Sequence, residues 1–185
     1  MSIEFETIQS QIQALYQVGD YAAAYQLASQ HASDFPEHEQ LFIYWRICMA
    51  AGQGNPDLAN DIFETALQDG NWFGEVLLRK SPVLQSLQGT PTFEQLITRN
   101  QELHNLDHSQ AFPMLILRPE GECNQGDLPC PTLMGLHANS GTLQSSLDFW
   151  KPAAEAGWLV AAPQSTQAIW KDAYIWDDLE IAQHQ

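Results

Sequence analysis

Ala138-Asn139-Ser140-Gly141-Thr142 sets a serine between small residues, after an apolar run and before an amphipathic one. A serine so spaced sits on a sharp strand-to-helix turn, where a hydroxyl can act as a nucleophile in acyl transfer. Asp177 or Asp178 and then His184 follow in the order serine, acid, histidine. The acid and the histidine lie only a few residues apart on what reads as one helix. Ser140 therefore reads more simply as a helix N-cap or a turn residue.

Other groups with chemical potential are weaker. His104 and His108 stand four apart and would share a helical face with Glu102 or Asp107, a partial metal set with no strong third ligand. They are expected to be solvated linker histidines. His31 and His38 are expected at the surface. Cys123 and Cys130 lack the two- to four-residue spacing of a zinc knuckle. No metal and no cofactor is implied.

The elements that must position these residues belong to a folded chain. Its 185 residues allow one ordinary domain or two small ones, at about 100–200 residues per domain. Hydrophobic residues make up 44% and charged residues 16%, which excludes a disordered composition. Seven Lys and Arg against 23 Asp and Glu give a formal charge of -16. Such a surface repels phosphate backbones and anionic headgroups, so neither nucleic acid nor membrane is an expected partner. The start MSIEFETIQS is acidic where a signal peptide is basic, and no run approaches the ~18 apolar residues of a membrane span. The expected compartment is the cytoplasm, where Cys48, Cys123 and Cys130 stay thiols; a Cys123–Cys130 disulfide would need an oxidising environment.

Ile8, Ile12, Leu15 and Tyr16, then Tyr21, Ala24, Leu27 and Ala28, form two helical stripes broken at Gly19-Asp20. Glycine ends one helix, aspartate caps the next, and Pro36 follows. Gly19-Asp20-Tyr21, Ala24, Ala28 and Pro36 resemble the second half of a tetratricopeptide repeat. A looser copy follows with Leu41, Tyr44, Ile47 and Cys48, a break at Gly52-Gln53-Gly54-Asn55-Pro56, and Ala59, Phe63 and Ala66. Its turn reads about three residues too long for the family. Helical stretches around Val76–Arg79 and Phe93–Leu103, separated by breakers Pro82 and Pro91, are expected to cap the pair.

From Ala111 the chain changes character. Phe112–Leu117, Thr132–Leu136 and Trp158–Ala162 read as strands, with a helix holding Leu143, Leu147, Phe149 and Trp150 before the third. Continuous apolar runs predict an α/β sheet whose central strands are covered on both faces. The fold expected is α plus α/β: a helical domain over residues 1–108, then a partial sheet with flanking helices over 111–185.

Leu136-His137-Ala138-Asn139-Ser140-Gly141, Ala156-Gly157-Trp158, Ala162-Pro163-Gln164-Ser165, Trp170 and Trp176-Asp177-Asp178 together resemble, over about residues 112–185, the α/β-hydrolases of the carboxylesterase/phospholipase-like branch. The resemblance implies that Asn139 and Ala138 donate backbone N–H groups to an oxyanion hole. It implies also that His137, Trp170, Tyr174 and Trp176 line a substrate pocket. Ala138 stands where the family has glycine, and a Cβ there is expected to tighten the turn. No Gly-x-Ser-x-Gly occurs, so the chain reads as the front of a serine esterase or other hydrolase that is inactive by itself. The alternative is a tetratricopeptide-type interaction module whose groove takes up a peptide or protein. A partial sheet leaves edges and apolar faces open, from which self-association is expected.

Overall fold

In the computed structural model the chain divides into two units, residues 1–107 and 108–185; the structure describes residues 3–107, 114–119, 130–178 and 180. The first unit is helical: α1 (Ile3–Gln17), α2 (Tyr21–His31), α3 (Glu39–Gly52), α4 (Pro56–Gln68), α5 (Glu75–Lys80) and α6 (Pro91–Asp107), with single 3-10 turns at Ala32–Asp34, Pro36–His38 and Pro82–Leu84.

The two helix pairs reverse direction by the same device. Val18-Gly19-Asp20 and Gln53-Gly54-Asn55 each join their helices in three residues. In each, the glycine takes a positive φ, 78° and 75°, that closes the preceding helix. The next residue's N–H bonds back into that helix, from Asp20 to Leu15 and from Asn55 to Ala50. Its side chain at once caps the following one: Asp20 accepts from Ala23 N–H at 3.1 Å, Asn55 from Leu58 N–H at 3.2 Å. The second turn is therefore no longer than the first, contrary to the sequence expectation. Gly52 belongs to α3, and a Cβ there would meet the Tyr21 ring at 2.8 Å, so its small size serves helix contact and not the turn.

Phe5, Ile12, Ala24, Ala28, Phe35, Phe42, Trp45 and Met49 form one buried cluster of this unit. Buried Asn100 fastens α6: its amide donates to Phe73 O at 2.7 Å and accepts from Phe73 N–H at 2.8 Å. Arg79 and Glu94 join α5 to α6 by two bonds of 2.7 Å, and Glu94 also accepts from Gly89 N–H. His31 pairs with Asp34 at 2.8 Å, while two other histidines of the unit lie against aromatic rings. His104 lies within α6 with its ring against Trp72, and His38 stacks on Phe5 at 3.7 Å between centroids. His108 lies outside the described residues.

The second unit holds β1 (Leu115–Leu117), β2 (Thr132–Met134), α7 (Leu143–Glu155), β3 (Leu159–Ala162), β4 (Gln167–Trp170) and β5 (Ala173–Ile175). β3 is central, antiparallel to β1 and parallel to β2. Thr142 caps α7 in a reciprocal capping box with Ser145, and Gly157 at φ 96° turns the chain into β3. Leu117, Val160 and Leu133 are in register, and Val160 is fully buried on the face that α7 covers. On the opposite face Ile116, Ala161 and Met134 are in register, with Ile116 47% and Met134 65% exposed. Within this unit, among its described residues, one helix flanks the sheet, on one face. That corrects the expectation of cover on both faces. Phe149, expected on the packing face of the helix, is 73% exposed. β4 and β5 form an antiparallel hairpin that was not anticipated. Cys48 is a free, buried thiol that burial pushes up to about 11, while Cys130 is disulfide-bonded, not a thiol as expected.

Glu94, held down to about 2 by the hydrogen bonds from Arg79, makes stability pH-dependent. A carboxylate with a depressed folded-state pKa stabilises above its unfolded value and loses that contribution as pH falls from about 4.5 to about 2. Urea unfolding followed by circular dichroism should show this loss in the wild type. The Glu94→Gln variant should show a shallower dependence over the same window.

Candidate functional site: the turn at the carboxyl ends of two parallel strands

Because β2 and β3 run parallel through the α7 crossover, their carboxyl ends lie side by side, where open α/β sheets commonly place ligand sites. Two short segments meet there, residues 137–142 after β2 and 163–166 after β3.

His137 connects them. It is 4% exposed. Its Nε2 accepts from the backbone N–H of Ser165 at 3.2 Å and from the side-chain amide of Gln164 at 3.2 Å. An acceptor nitrogen carries no proton, so the other nitrogen, Nδ1, bears it and donates to Ala138 O at 2.9 Å. The main-chain carbonyl of His137 accepts from Trp176 Nε1 at 3.3 Å, and the ring lies against Trp176 and Tyr174.

Residues 138–141 form a tight turn closed by Gly141 N–H donating to Ala138 O at 2.9 Å. Ser140 has φ 59° while Asn139 does not share a positive φ, the signature of a type II turn with a serine where glycine is usual. Ala138 lies outside the left-handed region, and the positive φ of the turn falls on Ser140. Gly141 has no room for a Cβ, which would meet Ala138 O at 2.8 Å. Ala138, Asn139 and Ser140 are exposed, and their backbone N–H groups donate to no protein group among the described residues. Three consecutive exposed donors without a protein partner among the described residues are open to a ligand oxygen at this end of the sheet.

The other sequence candidates are placed as follows. Ser140 is a turn residue, and the cap of α7 is Thr142. Tyr174 is buried against His137, and its N–H donates to Gly141 O. Trp176 is half-buried beside His137, whereas Trp170 ends β4. Asp177 and Asp178 present their backbone N–H groups to Gln167 Oε1, and Asp178 Oδ1 accepts from Glu180 N–H. His184 lies outside the described residues, as does Cys123. Sequence reasoning missed Gln164 and Ser165 as partners of His137. Their one signal was position, directly after a buried strand parallel to the one that ends at His137.

Residues 5–107 match the family described as A/B hydrolase-like, N-terminal domain. That stretch is the helical unit, more than half of the chain, and not the segment in which hydrolase motifs were read. The chain also resembles a solved structure described as an uncharacterized protein from Bacillus cereus ATCC 10987, with a TM-score of 0.52 and 18% identity. The likeness covers 100% of this chain and 57% of that one, so the chain spans little more than half the length of that structure. No curated protein matches the sequence.

The hydrogen bonds assign His137 as the neutral Nδ1–H tautomer. Nitrogen-15 NMR of labelled histidine at neutral pH should show a proton on Nδ1 and none on Nε2. Replacement by alanine, which strands Ser165 N–H and the Gln164 amide, should cost about 2–5 kcal/mol of stability in urea unfolding.

Proposed function

The chain belongs to the A/B hydrolase-like N-terminal domain family, and from that premise we propose that it is the front part of a hydrolase acting on carboxylic esters or thioesters, whose oxyanion donors lie in the turn of residues 138–140. The observation that carries this reading is the set of free backbone N–H groups of Ala138, Asn139 and Ser140 at the carboxyl end of β2. In acyl transfer the carbonyl oxygen becomes an anion, and fixed donors aimed at it lower the barrier without reorganising. Small residues let a substrate approach the backbone, and Trp176 stands beside the turn as a wall for the acyl or alcohol group. This chain contains no Gly-x-Ser-x-Gly. On this reading the nucleophile lies outside these residues.

The type II turn supplies a selective test. Proline is favoured at its second position, so Asn139→Pro keeps the turn and removes one N–H. In the full-length protein assayed on a series of p-nitrophenyl esters, this variant should lose about 10²–10³ in kcat with little change in KM. Ser140→Gly relieves the positive φ and should retain activity. Loss of all activity in Ser140→Gly would instead make Ser140 the nucleophile, and full activity in Asn139→Pro would remove the oxyanion reading.

A second reading, a tetratricopeptide-like module that binds a peptide, is favoured by a cleft of about 160 Å³ between α1 and α3, lined by Ile12, Tyr16, Tyr44, Trp45, Cys48 and Met49. That volume suits one large apolar side chain. Peptide display against the whole protein should enrich sequences with a single aromatic or leucine anchor, and Met49→Trp, which fills the cleft, should abolish the enrichment. Absence of any enrichment would discard this reading.

A further inference from the structure

Gln164 uses both ends of its side-chain amide at the point where the two strand ends meet. Its Oε1 accepts from Leu143 N–H, the first residue of α7, at 2.6 Å. Its Nε2 donates to His137 Nε2 at 3.2 Å and to Ser165 O at 3.3 Å. One buried side chain therefore spans the turn: it holds His137 at the entry and the start of α7 at the exit. The uncommitted N–H groups of residues 138–140 lie between these two anchors.

The bonds run in one sense only. Rotating the amide by half a turn would set its NH₂ against Leu143 N–H and its oxygen against the lone pair of His137 Nε2, two donors facing and two acceptors facing. The lone pair cannot turn away, because the same nitrogen accepts from Ser165 N–H and the opposite nitrogen donates to Ala138 O. The network fixes the His137 tautomer, the amide orientation and the ends of the turn together. Ser165 is anchored in turn, its Oγ donating to Ile175 O on β5 and accepting from Gln167 N–H at 3.0 Å.

We propose that Gln164 is a positioning residue for the oxyanion turn, acting through His137 and the N-terminus of α7 and touching no substrate itself. The inference rests on the reading of residues 138–140 as oxyanion donors. Donors displaced by about 1 Å lose rate on the order of a hundredfold, while ground-state binding is barely affected.

The test pairs kinetics with a spectroscopic readout that needs no substrate. In Gln164→Met, which preserves most of the side-chain volume and removes both hydrogen-bonding ends, kcat on the p-nitrophenyl ester series should fall at least tenfold with KM within about twofold. The amide ¹H–¹⁵N signals of Ala138, Asn139 and Ser140 should shift while those of β4 and β5 stay in place. Gln164→Glu keeps the acceptor for Leu143 N–H and loses the donor to His137; it should fall between the wild type and Gln164→Met, and it serves if the methionine variant does not fold. Unchanged turn signals in either variant would overturn the proposal, as would a loss confined to KM. If the full-length wild type turns over no ester, the hydrolase reading fails, and the amide signals still decide whether Gln164 fixes the turn.

Discussion

The carboxyl-end architecture of the second unit depends on one imidazole whose every hydrogen-bonding group is assigned. His137 gives its proton to Ala138 O and takes two N–H donors at Nε2, and its carbonyl holds the Trp176 indole. A buried ring with a lone pair and a proton at opposite ends can satisfy such partners in one orientation only. From that follow the juxtaposition of the segments after β2 and β3 and the direction of the Gln164 amide. The exposed turn, whose N–H groups at residues 138–140 have no protein partner among the described residues, is therefore held from beneath through Ala138 O and Gly141 O.

The same economy governs the helical unit on a different principle. There the reversals are set by backbone geometry, a glycine at positive φ and then an Asp or Asn that caps the next helix. The core follows from aromatic packing around Phe42 and Trp45, and buried polar chemistry is concentrated in Asn100. The family match falls on this unit.

How much was legible in the sequence follows from how local each signal is. Gly19-Asp20 and Gly54-Asn55 announce their turns within two residues, so the helix pairs could be read directly. The second turn was overestimated because Gly52 looks like a breaker, whereas its role is to admit the Tyr21 ring from 31 residues away. The small-residue stretch after β2 marked the site, but the function of His137 depends on a partner that only the parallel register of β2 and β3 brings near. The β4–β5 hairpin went unread because Asp172, at φ 57°, makes its turn without the usual glycine. The bare sheet face was hidden for the opposite reason: uniformly apolar strands give no alternation from which a face can be told.

The Asn100 contact has a consequence for how such a sequence can drift. Both of its bonds go to the main chain of residue 73, so no side chain at 73 is needed to keep them. Position 73 is bound only by the volume its phenyl ring fills, and any exchange that fills that space leaves the junction intact. Position 100 is bound by chemistry, since no other side chain of that length offers one donor and one acceptor at the same reach. The junction therefore tolerates exchange at the first position and resists it at the second.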